Sequence, residues 1–319
     1  MKVFLSETIH GKAVELLQAN GEIISDWSRI GEVDALISRA IKVGAAEMDQ
    51  MLNLKVIAVH GTGTDDIDLK EANRRGIQVV YAPHLNANAV AELSVGLMLA
   101  VCRKIVEARC VINGFGGPGG KTDGERQAEA QALLRGSELR GKTCGLIGFG
   151  AIATKIADIV RFGFGMEVAA YSPSLTEERA AAHGSKKMDS VEAVLKTADV
   201  VCLSLPLTEK SRGMISAERI AMMKEGAVLV NTARGPLVDE AALYDALHSG
   251  KLGGAASDVF CEGFPKEGNP LLELTNFVAT PHIGANTEDA LYTVGMVCAE
   301  QILDVLAGKD PQYPVPMKW

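Results

Sequence analysis

The 319 residues are 47% apolar and 23% charged, an ordinary soluble composition that is long for one domain and suits two. A formal net charge of −8 argues against a nucleic-acid partner, which needs clustered Lys and Arg, and no apolar run is as long as a membrane span. Six scattered cysteines without CxxC spacing indicate neither a disulfide framework nor a metal site; free thiols in the cytoplasm are expected, with no long apolar leader at the amino terminus.

Short β-branched runs alternate with helical stretches, the pattern of parallel sheets covered by helices. The spacing predicts strands at Lys55–Val59, Ile77–Tyr81, Thr143–Ile147, Glu167–Tyr171, Asp199–Leu203, Ala227–Asn231 and Asn276–Thr280. Ala89 to Ile112 is apolar on most sides, with Gly96 its sole glycine, and predicts one long buried helix suited to connecting two domains. Residues 113–120, Asn-Gly-Phe-Gly-Gly-Pro-Gly-Gly, have the densest turn composition in the chain and read equally as a hinge or a plain surface loop. Glu125 to Arg135 predicts an exposed helix or an oligomer contact. From Glu288 onward one more helix is expected, then a Pro-rich tail that folds back on the first domain.

Three segments carry chemistry. Gly148-Phe-Gly-Ala-Ile-Ala153 follows a strand and opens a helix, the context that a dinucleotide fingerprint requires. Gly148 allows the tight turn, Gly150 lets a pyrophosphate approach the backbone, and Ala153 permits close packing of helix on strand, with the helix N-terminus toward the phosphates. The fingerprint calls for an acid about twenty residues on to hold the adenosine ribose. Here that strand ends Tyr171-Ser172-Pro173-Ser174, with no carboxylate and no neighbouring Arg. A 2′-phosphate would meet no repulsion there, so the cofactor is NAD or NADP, with a slight lean to NADP.

Arg234 follows the strand ending at Asn231, and ligands of open α/β sheets bind outside the carboxyl ends of strands. Its planar fork suits a carboxylate, although a structural ion pair is the alternative. His282 also follows a strand end, between Pro281 and Ile283. An imidazole titrates near neutrality and can exchange a proton at working pH.

Leu139–Gly150, Leu203–Thr208, Asn231–Glu240, Gly254–Phe260 and Thr280–Ala285 strongly resemble the D-isomer-specific 2-hydroxyacid dehydrogenases, and Gly61–Asp68 with Val90–Glu92 extend the resemblance over nearly the whole chain. It implies an α/β fold of two doubly wound parallel-sheet, Rossmann-like domains. Residues 98–288 would bind the dinucleotide; 1–97 and 289–319 would form the substrate domain. Hinges would lie near 97–100 and 285–290. The implied reaction is reversible reduction of a small 2-oxo acid to the D-2-hydroxy acid. The amides of Thr62 and Gly63 with Arg234 would hold the substrate carboxylate, and His282 would act as general acid and base. Cofactor contacts would come from Gly148, Gly150, Ala151, Ile152 and Ser172, and from Pro206, Thr232, Ala233 and Asp258, the last on the nicotinamide carboxamide. A homodimer is expected.

The chain departs from the family pattern in several places. The family places a Glu five residues after the Asp of Asp-Val-Phe; that position is Gly263, and Glu262 stands one residue earlier. We expect Glu262 to serve as carboxylate partner of His282, with Glu267 or solvent as alternatives. Similar phosphoglycerate dehydrogenases carry an Arg where Val59 stands, and no separate regulatory domain is expected after the tail. These points favour a short unphosphorylated acid such as glyoxylate or hydroxypyruvate. His60 and His84 are candidates for its far end, though each reads more simply as a loop residue. The segment 113–135 is longer than in typical relatives and lacks their Trp, which suggests a changed dimer contact or lid. Two rival readings stand: a phosphite-type dehydrogenase on the same scaffold, and a non-catalytic NAD(H)-sensing protein that binds a protein partner.

Overall fold

The computed structural model describes residues 1–112 and 122–316. Its contacts divide it into two compact units, one comprising Met1–Ala89 and the residues from Ala285 onward, the other Val90–Gly284.

In the first unit, strands β1 (Lys2–Leu5), β2 (Glu22–Ile24), β3 (Ala35–Ser38), β4 (Val56–Val59) and β5 (Gln78–Tyr81) form a parallel sheet in the order β2-β1-β3-β4-β5. That order is a doubly wound one, with its reversal between β1 and β3. Helices α1 (Gly11–Gln18), α2 (Ala45–Gln50) and α3 (Leu69–Arg74) connect the strands. Successive residues of a strand point to opposite faces. Val3, Ala35, Ile37, Ala58 and Val80 therefore pack with α1 on one side, and Phe4, Leu36, Ile57 and Val79 with Met48 and Ala72 on the other. Both faces are covered, so β3 and β4 are apolar or small throughout rather than alternating.

The second unit begins inside α4 (Ala87–Cys102) and continues through α5 (Ile105–Ile112) and α6 (Asp123–Leu133). Strands β6 (Thr143–Ile147), β7 (Glu167–Tyr171), β8 (Lys186–Lys187), β9 (Val200–Leu203), β10 (Ala227–Asn231), β11 (Leu252–Ser257) and β12 (Phe277–Ala279) follow, with helices α7 (Ala151–Asp158), α8 (Glu177–Ala182), α9 (Val191–Thr197), α10 (Ala217–Met222) and α11 (Glu240–His248) between them. The parallel sheet runs β12-β11-β10-β9-β6-β7-β8. Its chain order reverses at β6, flanked by β7 and β9, which places a binding crevice outside the carboxyl ends of those strands. Both doubly wound sheets agree with the fold that the sequence implies.

The predicted helix over 89–112 is instead two helices. Lys104 takes a left-handed backbone, with φ of 55°. The carbonyl of Cys102, at the end of α4, accepts the Ser137 amide at 2.8 Å, so the chain returning after α6 caps α4 from outside. The second half is not buried either: Ile105, Val106 and Ile112 are exposed. The hinge candidate at 113–120 lies outside the described residues. Helix α6 is exposed, as Glu125 to Arg135 suggested, and opens with a capping box in which Thr122 and Glu125 each bond the other's backbone amide.

The last helix, α12 (Glu288–Leu306), packs on α1 and β4 within the first unit. The tail then runs extended beside β5, with Val315 N–H donating to Val79 O at 2.9 Å and Tyr81 N–H to Tyr313 O at 3.2 Å. Buried Gln301 joins the two: its amide nitrogen donates to Tyr81 O at 3.0 Å and its oxygen accepts from Tyr313 N–H at 2.7 Å. Gln301→Leu leaves that donor and acceptor without partners. It is expected to lower stability by about 2 kcal/mol in urea denaturation, and an unchanged midpoint would show that the tail is not held this way.

Candidate functional site

The carboxyl edge of the second unit's sheet brings the candidate residues into one row. Gly148 follows β6, Ser172 follows β7, Ser204 follows β9, Arg234 follows β10, Asp258 follows β11 and His282 follows β12. Neighbouring strands are about 5 Å apart, so the row is long enough for an extended dinucleotide and a small acid.

At the β6 end, Gly148 has φ of 93°, and its amide donates to Tyr171 O at 2.8 Å, fastening the loop to the end of β7. A Cβ on Gly148 would run into the Ser204 carbonyl, whereas one on Gly150 would meet nothing within 4 Å. The first glycine is thus required by packing, and the second leaves open space at the N-cap of α7. Ala151 and Ile152 lie in the first helical turn, whose amides have no intrahelical partner and face an incoming anion. Buried Ala153 packs into the core beneath. This cradle fits a dinucleotide pyrophosphate. Pro206 is exposed after β9, in a turn held by Ser211 Oγ donating to its carbonyl at 2.8 Å.

The turn after β10 is built by Asn231, which sequence reasoning did not assign to the site. Its buried amide donates to Arg234 O at 2.9 Å and accepts from Ala233 N–H at 3.1 Å, so one side chain bridges the turn that aims Arg234. Thr232 lies 2.7 Å from Ser94 Oγ; since the Ser94 hydroxyl proton is taken by Val90 O at 2.7 Å, Thr232 is the donor. Gly235 lies so close to the Phe260 carbonyl that a side chain there would collide.

Asp258 is 2% exposed and organises the whole segment after β12. One carboxylate oxygen accepts from Thr280 Oγ1 at 2.6 Å and Ile283 N–H at 2.8 Å, and the other from Gly284 N–H at 2.8 Å. Its backbone oxygen accepts from His282 N–H at 2.8 Å. His282 is held with φ of 55°, a conformation uncommon for a non-glycine residue, and its side chain is exposed. A carboxylate has about four acceptor positions, and three of those of Asp258 are used by the loop. Thr280 was visible in the motif but carried no assigned role; its hydroxyl is one of those three donors.

Glu262 lies in the tight turn between Phe260 and Gly263, with Gly263 at φ of 85°. Its carboxylate pairs with Lys266 and is 65% exposed. In the first unit, Thr62 Oγ1 donates to Ala82 O at 3.4 Å in the loop after β4. Among the described residues, neither the Thr62 nor the Gly63 amide is matched to a backbone acceptor. His84 is exposed, with φ of 67°. Among the described residues, no group of three or more His, Cys, Asp or Glu is arranged to hold a metal ion, and no helix is long and apolar enough to cross a membrane.

These features coincide with a known pattern. Residues 95–284 match the family described as D-isomer specific 2-hydroxyacid dehydrogenase, NAD binding domain. The chain belongs to the D-isomer-specific 2-hydroxyacid dehydrogenase family. It is 41% identical to a hydroxypyruvate reductase of Thermotoga maritima, over 87% of this chain and 86% of that one. It is 39% identical to a D-3-phosphoglycerate dehydrogenase of Methanocaldococcus jannaschii, over 99% of this chain and 60% of the relative, so it spans about three-fifths of that protein's length. Among solved structures, the TT0316 protein of Thermus thermophilus matches with a TM-score of 0.86 at 35% identity, covering 99% of this chain and 100% of the other. The Val90–Gly284 unit of this dehydrogenase-family chain therefore contains the family's NAD-binding domain.

His60, a candidate for the substrate's far end or more simply a loop residue, stands just after β4 and is buried. It is 8% exposed, and among the described residues its Nε2 has no hydrogen-bond partner; it lies toward Gly295 of α12. Burial, aided by the positive charge of Arg39 and opposed by Glu7, lowers its pKa from the usual 6.5 to about 4. The folded protein thus refuses a proton that the unfolded chain accepts. Stability from this group is present above about pH 6.5 and is lost as pH falls toward 4, by about 3 kcal/mol. His60→Leu is expected to flatten the stability–pH curve in that window; an unchanged slope would contradict the burial argument.

Proposed function

We propose that this protein reduces a small 2-oxo acid to the D-2-hydroxy acid, and catalyses the reverse oxidation, with a nicotinamide dinucleotide. The observation that carries the reading is the row of strand ends, in which Arg234, Asp258 and His282 follow three adjacent strands of a sheet that also holds the glycine loop. The bound dinucleotide supplies or takes the hydride. Arg234 grips the substrate carboxylate, and the amides of Thr62 and Gly63 are further donors to it. His282 gives its proton to the carbonyl oxygen as negative charge develops there, which is general-acid catalysis at an imidazole. Asp258 keeps the His282 loop in place and offers its remaining acceptor position to the carboxamide.

Glu262 is our proposed carboxylate partner of His282. Its pair with Lys266 is exposed and so weakly held, which leaves the carboxylate able to change partner. The substrate is a short unphosphorylated acid, a reading supported by Val59 at the position of the phosphoglycerate enzymes' Arg and by likeness to a hydroxypyruvate reductase. NADP is favoured over NAD because Ser172 stands where a carboxylate would repel a 2′-phosphate. A homodimer is proposed, supported by exposed Ile105, Val106, Ile112 and Leu133 on α5 and α6. A cytoplasmic location is proposed from the six free thiols.

Initial rates with glyoxylate, hydroxypyruvate, pyruvate and bulkier oxo acids, each with NADH and NADPH, test the reading. Arg234→Leu and His282→Asn are each expected to cut kcat/KM by about a hundredfold or more. Glu262→Gln is expected to shift the pH–rate profile, and an unchanged rate and profile would remove Glu262 from the mechanism. Oxidation of phosphite in place of any 2-hydroxy acid would favour the phosphite-type rival. Tight cofactor binding without turnover of any 2-oxo acid would favour the sensor.

A further inference from the structure

The loop that offers the Thr62 and Gly63 amides starts from a buried side chain. His60 directly precedes Gly61, and its own amide donates to Ser38 O at 2.8 Å, which carries the β3–β4 ladder one residue past the end of β4. Residues 56, 58 and 60 share a face of that strand. The imidazole therefore points to the side of the sheet covered by α1 and α12, where Ala58 belongs to one apolar cluster with Ala13, Val294 and Cys298. Two residues of α12, one turn apart, meet the strand end here. A Cβ on Gly295 would lie 3.6 Å from His60 Nε2 and 3.2 Å from the Ala13 Cβ, so only a glycine lets the helix sit this close without crowding α1. Cys298 Sγ donates to the carbonyl of Val59, the last residue of β4, at 3.5 Å.

Beyond this seat the loop is lightly held. Gly61 N–H donates to Val59 O at 2.8 Å, and Gly61 O accepts from Ala82 N–H at 2.9 Å. The Thr62 hydroxyl contacts Ala82 O, Asn86 Oδ1 and the His84 amide at 3.4 Å each, which is long for a hydrogen bond. Since the ring's Nε2 has no hydrogen-bond partner among the described residues, the imidazole keeps its place there by fit. A short loop with few bonds of its own takes its position from the residue before it.

We propose that His60, seated against Gly295 of α12, is a positioning residue that fixes the Gly61–Gly63 loop and through it the affinity for the substrate carboxylate; the inference rests on the reading of Thr62 and Gly63 given above. The ring acts through the chain, because a shift of the buried imidazole passes to Gly61 and Thr62, one and two residues on. Donors held in place before the acid arrives bind it without first being ordered. The competing role is plain packing between α1 and α12, which would contribute stability and leave substrate binding alone.

Initial rates of the full chain, with amide hydrogen exchange over the loop as a second readout, separate these roles. His60→Ala is expected to raise KM for the best 2-oxo acid by about tenfold, with kcat and the dinucleotide KM changed less than twofold, and to speed exchange of the loop amides. His60→Leu refills the seat and should recover most of that loss. Ile302→Ala opens a cavity elsewhere in the same cluster and should lower the melting temperature without raising KM. Cys298→Ala frees the Val59 carbonyl more gently and should raise KM by about threefold, which keeps the test open if His60→Ala does not fold. An unchanged KM in His60→Ala, or in Cys298→Ala where that variant stands in for it, would overturn the proposal. So would an equal rise in Ile302→Ala, or a His60→Leu protein as impaired as His60→Ala. Wild-type protein that reduces no 2-oxo acid would sink the functional reading instead; loop exchange that stays at the wild-type rate in His60→Ala would still overturn the positioning role.

Discussion

The carboxylate of Asp258 is the constraint on which the proposed chemistry depends. A histidine after a strand end does not remain in a left-handed backbone without help, because that conformation costs a non-glycine residue about 1 kcal/mol or more. Asp258 supplies the help by accepting the Thr280 hydroxyl and the amides of Ile283 and Gly284, while its own carbonyl takes the His282 amide. A buried carboxylate is itself costly unless hydrogen-bonded. The strand end and the loop therefore stabilise each other, and the imidazole is placed by a group that need not touch it.

The same edge is brought close by small residues. Gly235 lies against the Phe260 carbonyl, and Gly145 in β6 lies against Val194 of α9 and Ala198 just after it, at distances where a side chain would collide. Behind them, two apolar clusters fill the faces of the sheet, so the strand ends are rigidly backed. Rigid backing matters for hydride transfer, where an error of about an ångström in positioning is expensive. The loops that carry Arg234 and His282 vary in chemistry, while the scaffold beneath them is fixed by packing.

Much of this was legible in the sequence, and the misses have physical causes. The strands from β4 to β10 that are rich in β-branched residues, such as Val56–Val59 and Ala227–Asn231, were read within a residue or two. β11, Leu-Gly-Gly-Ala-Ala-Ser, went unread because close packing at Gly253 and Gly254 selects small residues over strand formers. The break at Lys104 was invisible because its cause, the Ser137 amide on the Cys102 carbonyl, comes from more than thirty residues away. Arg234 and His282 were singled out from strand context, and Asp258 from the family resemblance. Asn231 and Thr280 were in plain view, but the roles of their side chains are bonds, to the backbone of the same turn and to the Asp258 carboxylate respectively, which no local pattern encodes.

The central claim is that Asp258 positions His282 for proton transfer. Single-turnover oxidation of bound NADPH or NADH by the best 2-oxo acid, compared among wild type, Asp258→Asn and His282→Asn, tests it most directly. Asparagine keeps the size of the side chain but replaces one acceptor oxygen with a donor that opposes the amides of the loop. The account requires Asp258→Asn to lose most of the rate that His282→Asn loses, and the double variant to be little slower than either, as for residues acting as one unit. A folded Asp258→Asn protein that turns over at the wild-type rate would contradict it.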